Sequence, residues 1–126
     1  MSLILDAGAL VAVERGDRTT LALISTEILG QRSPITHGGV IGQVWRGGAG
    51  RQARMAKLMP AIEIKPLDEA LGRRAGILLG RARKADVVDA ALVLLATDGD
   101  TILTSDPDDI EPLAYAAGVH VDIIAV

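Results

Sequence analysis

The residues of this 126-residue chain best suited to chemistry are aspartates. Asp6 closes the apolar run Leu3-Ile4-Leu5, Asp106 follows Thr101 to Ser105, and Asp89 lies in the first turn of a helix begun near Asp86. In an open α/β sheet, ligands gather outside the carboxyl ends of the strands, where the loops and helix N-termini meet. Two of these aspartates occupy strand ends and the third a helix start, so the spacing predicts that they converge. Converging carboxylates repel, and a hard divalent cation such as magnesium or manganese relieves that repulsion with all-oxygen coordination. A single aspartate after a strand is commonly a helix cap, and Asp86 reads as one. Three at matched strand ends favour a metal site.

The elements that must position them follow from the patterning. Residues 2 to 5 form a buried strand leading into a helical stretch toward Glu14. Thr19 or Thr20 caps a second helix through Leu29, which Gly30 stops. Ser33 to Thr36 is extended, Gly38 to Arg46 is a helix weakened by glycines, and residues 47 to 50 break the chain. A basic amphipathic helix runs from Arg51 to Met59, ended by Pro60. Ile62 to Ile64 alternates as a strand. Asp68 caps a helix to about Arg81, and Asp86 starts another through Ala96. Thr101 to Thr104 is a strand, Ile110 to Ala117 a last helix, and Val121 to Ile124 a closing strand. Strands separated by helices require crossovers, so the expected class is α/β: one domain over residues 1–126, with a mostly parallel central sheet and helices on both faces.

The overall charge of −3 conceals a polarised distribution. Residues 46 to 84 carry ten basic and three acidic groups, whereas residues 85 to 126 carry nine acidic and none basic. A basic middle beside an acidic cluster is what a phosphodiester enzyme needs: cations for the backbone, carboxylates for the metal. The absence of Cys excludes thiol nucleophiles, thiolate metal sites and redox switches, and suits a reducing compartment. The N-terminus lacks a basic leader, and no apolar run approaches the ~20 residues of a membrane span, so a cytoplasmic protein without membrane association is expected.

Three segments, Leu3 to Leu10, Val88 to Val93 and Ile102 to Asp109, resemble the three acidic motifs of PIN domains in order and spacing. The set is most similar to the VapC toxins of bacterial toxin–antitoxin pairs. The resemblance implies a magnesium- or manganese-dependent endoribonuclease, a homodimer, and an antitoxin partner that blocks the site. It assigns Asp6, Asp89 and Asp106 as catalytic, metal-binding acids, and Asp109 as an acid that often follows the last of them. One motif departs: where the family has Glu, this chain has Gln43, which supplies no negative charge. Asp86, three residues before Asp89, shares its helix face and would restore a fourth carboxylate. The implied reaction is hydrolysis of an RNA phosphodiester by metal-activated water, with Thr104 and Ser105 as hydrogen-bonding residues around it.

For the RNA, Arg46, Arg51, Arg54 and Lys57 are the candidate phosphate contacts, followed by Arg81, Arg83 and Lys84. Stacking contributes little, because Trp45 and Tyr115 are the only aromatic residues, and Trp45 reads as core or dimer interface. His37 and His120 have no partner at metal-ligand spacing and read as structural or surface residues. A phosphoacceptor receiver domain shares this class but needs a lysine at a late strand end, and no basic residue follows Lys84. The stronger alternative is a silent PIN-fold module that binds RNA or protein, with Gln43 marking the loss of cleavage.

Overall fold

The computed structural model of the chain describes residues 1–47, 50 and 52–126. Five short strands, β1 (Leu3–Leu5), β2 (Ile35–His37), β3 (Glu63–Lys65), β4 (Thr101–Thr104) and β5 (Asp122–Ala125), form one sheet. Their order is β3-β2-β1-β4-β5 and every pairing is parallel. The α/β architecture expected from the alternating pattern is therefore found, with a sheet that is wholly parallel. The central β1 is fully buried, and Leu3, Ile4 and Leu5 lie opposite Thr101, Ile102 and Leu103. Each large aliphatic side chain buried there stabilises the fold by roughly 1.5–3 kcal/mol relative to exposure.

The helices are α1 (Ala7–Glu14), α2 (Arg18–Leu29), α3 (Gly38–Val44), α4 (Ala53–Leu58), α5 (Glu69–Ala82), α6 (Val87–Leu94) and α7 (Pro107–Ala117). From β1 the chain steps outward to β2 and β3, then returns to place β4 on the other side of β1. Right-handed crossovers then put α1 to α4 on one face and α5 to α7 on the other. The packing agrees: α1 contacts α2, α3 and α4, while α5, α6 and α7 contact one another. Four consecutive residues of α6, Ala90 to Val93, are buried, as befits a helix enclosed by α5, α7 and the sheet. Among the described residues, no helix is long and apolar enough to cross a membrane.

Several boundaries differ from the sequence reading for identifiable reasons. The N-cap of α2 is Asp17, whose carboxylate accepts the N–H and hydroxyl of Thr20, so the threonine is the recipient of the cap. The basic α-helix ends at Leu58, just before Pro60, as expected, but the chain keeps turning. Pro60 sits inside a 3-10 turn, Met59–Ala61, because proline fits the first positions of a helical turn. The same preference starts α7 at Pro107, three residues before Ile110. Trp45 is not core: it follows α3 with 43% of its surface exposed.

Candidate functional site

Strand order reverses between β1 and β4, where connections leave toward opposite faces of the sheet. Such a switch point opens a crevice at the carboxyl ends of the strands. Asp6 follows β1 directly and is 6% exposed. One oxygen of its carboxylate accepts the N–H of Ala9 at 2.8 Å and so caps α1, while the other accepts the N–H of Ser105 at 3.1 Å, just beyond β4. Burial pushes the Asp6 carboxyl above its ordinary range, and the Thr104 hydroxyl with the amides of Ala9, Ser105 and Gly8 pulls it partly back. Asp6 therefore stitches the two strand ends together. A side chain at Gly8 would collide with Ser105, so the close approach of the β1–α1 turn to β4 requires glycine here.

Thr104 is fully buried, and its hydroxyl oxygen accepts the N–H of Asp106 at 2.9 Å. Asp106 stands at the N-cap position of α7 but makes no side-chain cap bond, unlike Asp6, Asp17, Asp68 and Asp86 at the starts of their helices. Capping therefore does not account for the Asp106 carboxylate. Asp86 does cap α6, accepting the amides of Val88 and Asp89 at 2.9 and 3.1 Å. Asp109 lies in the first turn of α7 with the Lys84 ammonium 3.9 Å away.

Asp89 is the electrostatic focus. Its carboxyl is pushed from 3.8 up to about 6, first by burial and then by the negative charges of Asp86, Asp6, Asp109 and Asp106. The other four carboxylates singled out in the sequence thus act on Asp89. They stop short of ligating distance: among the described residues, no three carboxylate or imidazole side chains are grouped closely enough to hold one ion. Asp6 and Asp86 turn to backbone amides instead. The donor chemistry still fits magnesium or manganese, since it is all oxygen and gathers like charges around Asp89. Asp6, Asp89 and Asp106 would hold such an ion, with Asp86 and Asp109 at its edge.

Gln43 is exposed near the end of α3 and lines, with Gly8 and Ser105, a cavity of about 600 Å³ beside Asp6. The amide therefore faces an opening beside the β1–α1 turn and Ser105, which none of the five acids lines. The basic candidates are dispersed. Arg46 is exposed, its Nη1 donating to the carbonyls of Gly42 and Trp45 at 3.1 and 2.9 Å. Arg54 is drawn to the carbonyl of Glu14 at 3.0 Å, and Lys57 is exposed on the last turn of α4. Arg51 lies outside the described residues. His120 is a surface residue beside Asp98, as expected.

Two residues near the site carry more than the sequence conveys. His37 is fully buried at the start of α3, where Nδ1 accepts the N–H of Gly39 at 3.0 Å and Nε2 lies 2.9 Å from the carbonyl of Val88. With one nitrogen accepting and the other donating, the ring is held neutral in one tautomer, consistent with burial lowering its proton affinity. It thereby ties β2 to the turn of α6 that carries Asp89. Arg15, the residue after α1, lines the same 600 Å³ cavity as Gln43. A lone arginine at a helix end resembles any solvated charge, so no sequence signal distinguished it.

No protein-family model matches the chain, and no curated protein matches it. The likeness to PIN domains rests on the three acidic segments alone.

Proposed function

We propose that the chain is a magnesium- or manganese-dependent endoribonuclease of the PIN type, with Asp6, Asp89 and Asp106 holding the metal. The observation that carries this reading is the gathering of Asp6, Asp86, Asp106 and Asp109 about Asp89 at the strand-switch point, which together with burial pushes the Asp89 carboxyl up to about 6. A cluster of like charges costs stability unless a cation or a positively charged partner offsets it. Bound there, the metal would supply an activated water and neutralise charge on the departing oxygen. Asp6 contributes a carboxylate whose orientation is fixed by two amides and the Thr104 hydroxyl. Asp106 contributes one that no cap bond restrains. Ser105 and Gln43 line the adjoining opening, where they can donate hydrogen bonds to a substrate phosphate.

The toxin role, with a homodimer and an antitoxin placing a cationic side chain among the acids, belongs to the same proposal. Gln43 favours a second reading, a silent module that binds RNA or protein without cleaving, because it leaves one acid fewer than the family pattern. Incubation of total RNA with the purified protein and magnesium or manganese separates the two. Cleavage that disappears both with EDTA and in Asp6→Asn supports the nuclease. Intact RNA in the presence of folded, metal-supplemented protein selects the silent module.

A further inference from the structure

α5 and α7 pack on one another outside the enclosed α6. Arg81 lines a cavity of about 630 Å³ with Asp108, Glu111 and Tyr115, and Arg74 and Ile77 line a second, of about 170 Å³, with Ala117. The end of α5 therefore lies beside the start of α7, and the two helices run antiparallel with a groove between them. The ridges on either side carry opposite charge. α5 has three arginines and one glutamate, and that glutamate pairs with Arg73 at 2.8 Å. α7 has three carboxylates and no basic residue. Among the described residues, Arg74 and Arg81 on one ridge and Asp108 and Glu111 on the other make no ion pair within 4.0 Å. Apolar surface is exposed along the same ridges. Tyr115 is 90% exposed and Ile77 59%, and Gly76 and Gly80 leave open space where a side chain would stand.

We propose that a second copy of the chain docks on this face, related by a two-fold axis that runs along the groove. Such an axis exchanges the ridges but preserves position along them. Residues that stand level across the groove within one copy then meet across the interface between copies. Arg81 faces Asp108 and Glu111 of the other copy, and symmetry makes the contact twice in each dimer. The Tyr115 ring of each copy packs on the opposite α5, where Gly80 beside Arg81 admits it. An aromatic anchor within a charged rim is the usual form of a specific protein contact. A second copy is favoured over other occupants because the two signs lie on separate ridges of one face. A polyanion is repelled by α7, and a peptide of one sign is matched by one ridge alone. The face serves the homodimer named above, and its charge pattern is the same whether or not RNA is cleaved.

The test is sedimentation velocity of the full chain across a concentration series. The wild type is expected to form a dimer that weakens as salt rises. Arg81→Glu and Glu111→Arg each turn attraction into repulsion at both symmetric contacts, and each should raise the dimer dissociation constant about tenfold. Mixing the two variants restores opposite charges at both contacts of the heterodimer, so the mixture is expected to associate as tightly as the wild type. Lys57→Glu, on α4 across the sheet, leaves association unchanged. A wild type that stays monomeric at every concentration, its face left to a different partner, would overturn the assignment. So would a dimer indifferent to both charge reversals, or a mixture that associates no better than either variant alone. RNA left intact by a dimer of this pattern would refute the nuclease and leave the interface standing.

Discussion

Replacing Asp89 with asparagine should make the metal-free protein more stable at neutral pH. The folded protein holds this carboxyl at about 6, whereas its ordinary value, which approximates the unfolded chain, is 3.8. Folding therefore favours the protonated form: the contribution is fully present below about pH 4 and is lost as pH rises through about 6. Two units correspond to about 3 kcal/mol, and partial solvent access reduces this to on the order of 1–2 kcal/mol. Asparagine keeps the shape without the charge, so Asp89→Asn should gain that amount at pH 7.5 and almost nothing at pH 4. Urea denaturation at both pH values measures it, and a melting shift of roughly 3–8 °C accompanies the gain. Saturating manganese should reverse the ranking at pH 7.5, because only the wild type gains the full binding energy. An equal stability difference at both pH values, or a variant weaker than wild type without metal, would refute the electrostatic account of the site.

Two further substitutions test the scaffold around the acids. His37→Ala removes the partners of the Gly39 N–H and the Val88 carbonyl and leaves a cavity, at a cost of about 2–4 kcal/mol in chemical denaturation. It should also move the Asp89 carboxyl away from about 6 in an NMR titration, which a loss of packing elsewhere would not do. Asp100→Ala should cost about 2–3 kcal/mol with no effect on the Asp89 titration, since this buried carboxylate accepts the N–H groups of Ser2 at 2.7 Å and Thr97 at 2.8 Å.

The parallel sheet was legible because its strands are short apolar runs separated by helix-length segments, and the acids were legible because strand ends followed by helices are where α/β sheets place ligands. The caps Asp68 and Asp86 were readable from local pattern for the same reason. The order β3-β2-β1-β4-β5 was not, since the pairing of β1 with β4 spans nearly 100 residues and leaves no local trace. Nor was the role of His37, whose partners lie two residues away on one side and 51 on the other. Arg15 and Arg46 line one cavity only because α4 packs on α1 and α3 follows β2; the basic stretch suggested cations in one run, whereas the fold draws Arg54 back to Glu14.

The seam between β1 and β4 also governs when the acids can assemble. Asp6 leaves the ribosome a hundred residues before Asp106, and neither Thr104 nor Ser105 can hold its carboxylate until β4 has docked. Closing so long a loop is an intrinsically slow step. A nascent chain of this sequence therefore carries its acids unassembled until β4 and the turn after it have been made, so Asp6 waits about a hundred residues for the amide that fixes it.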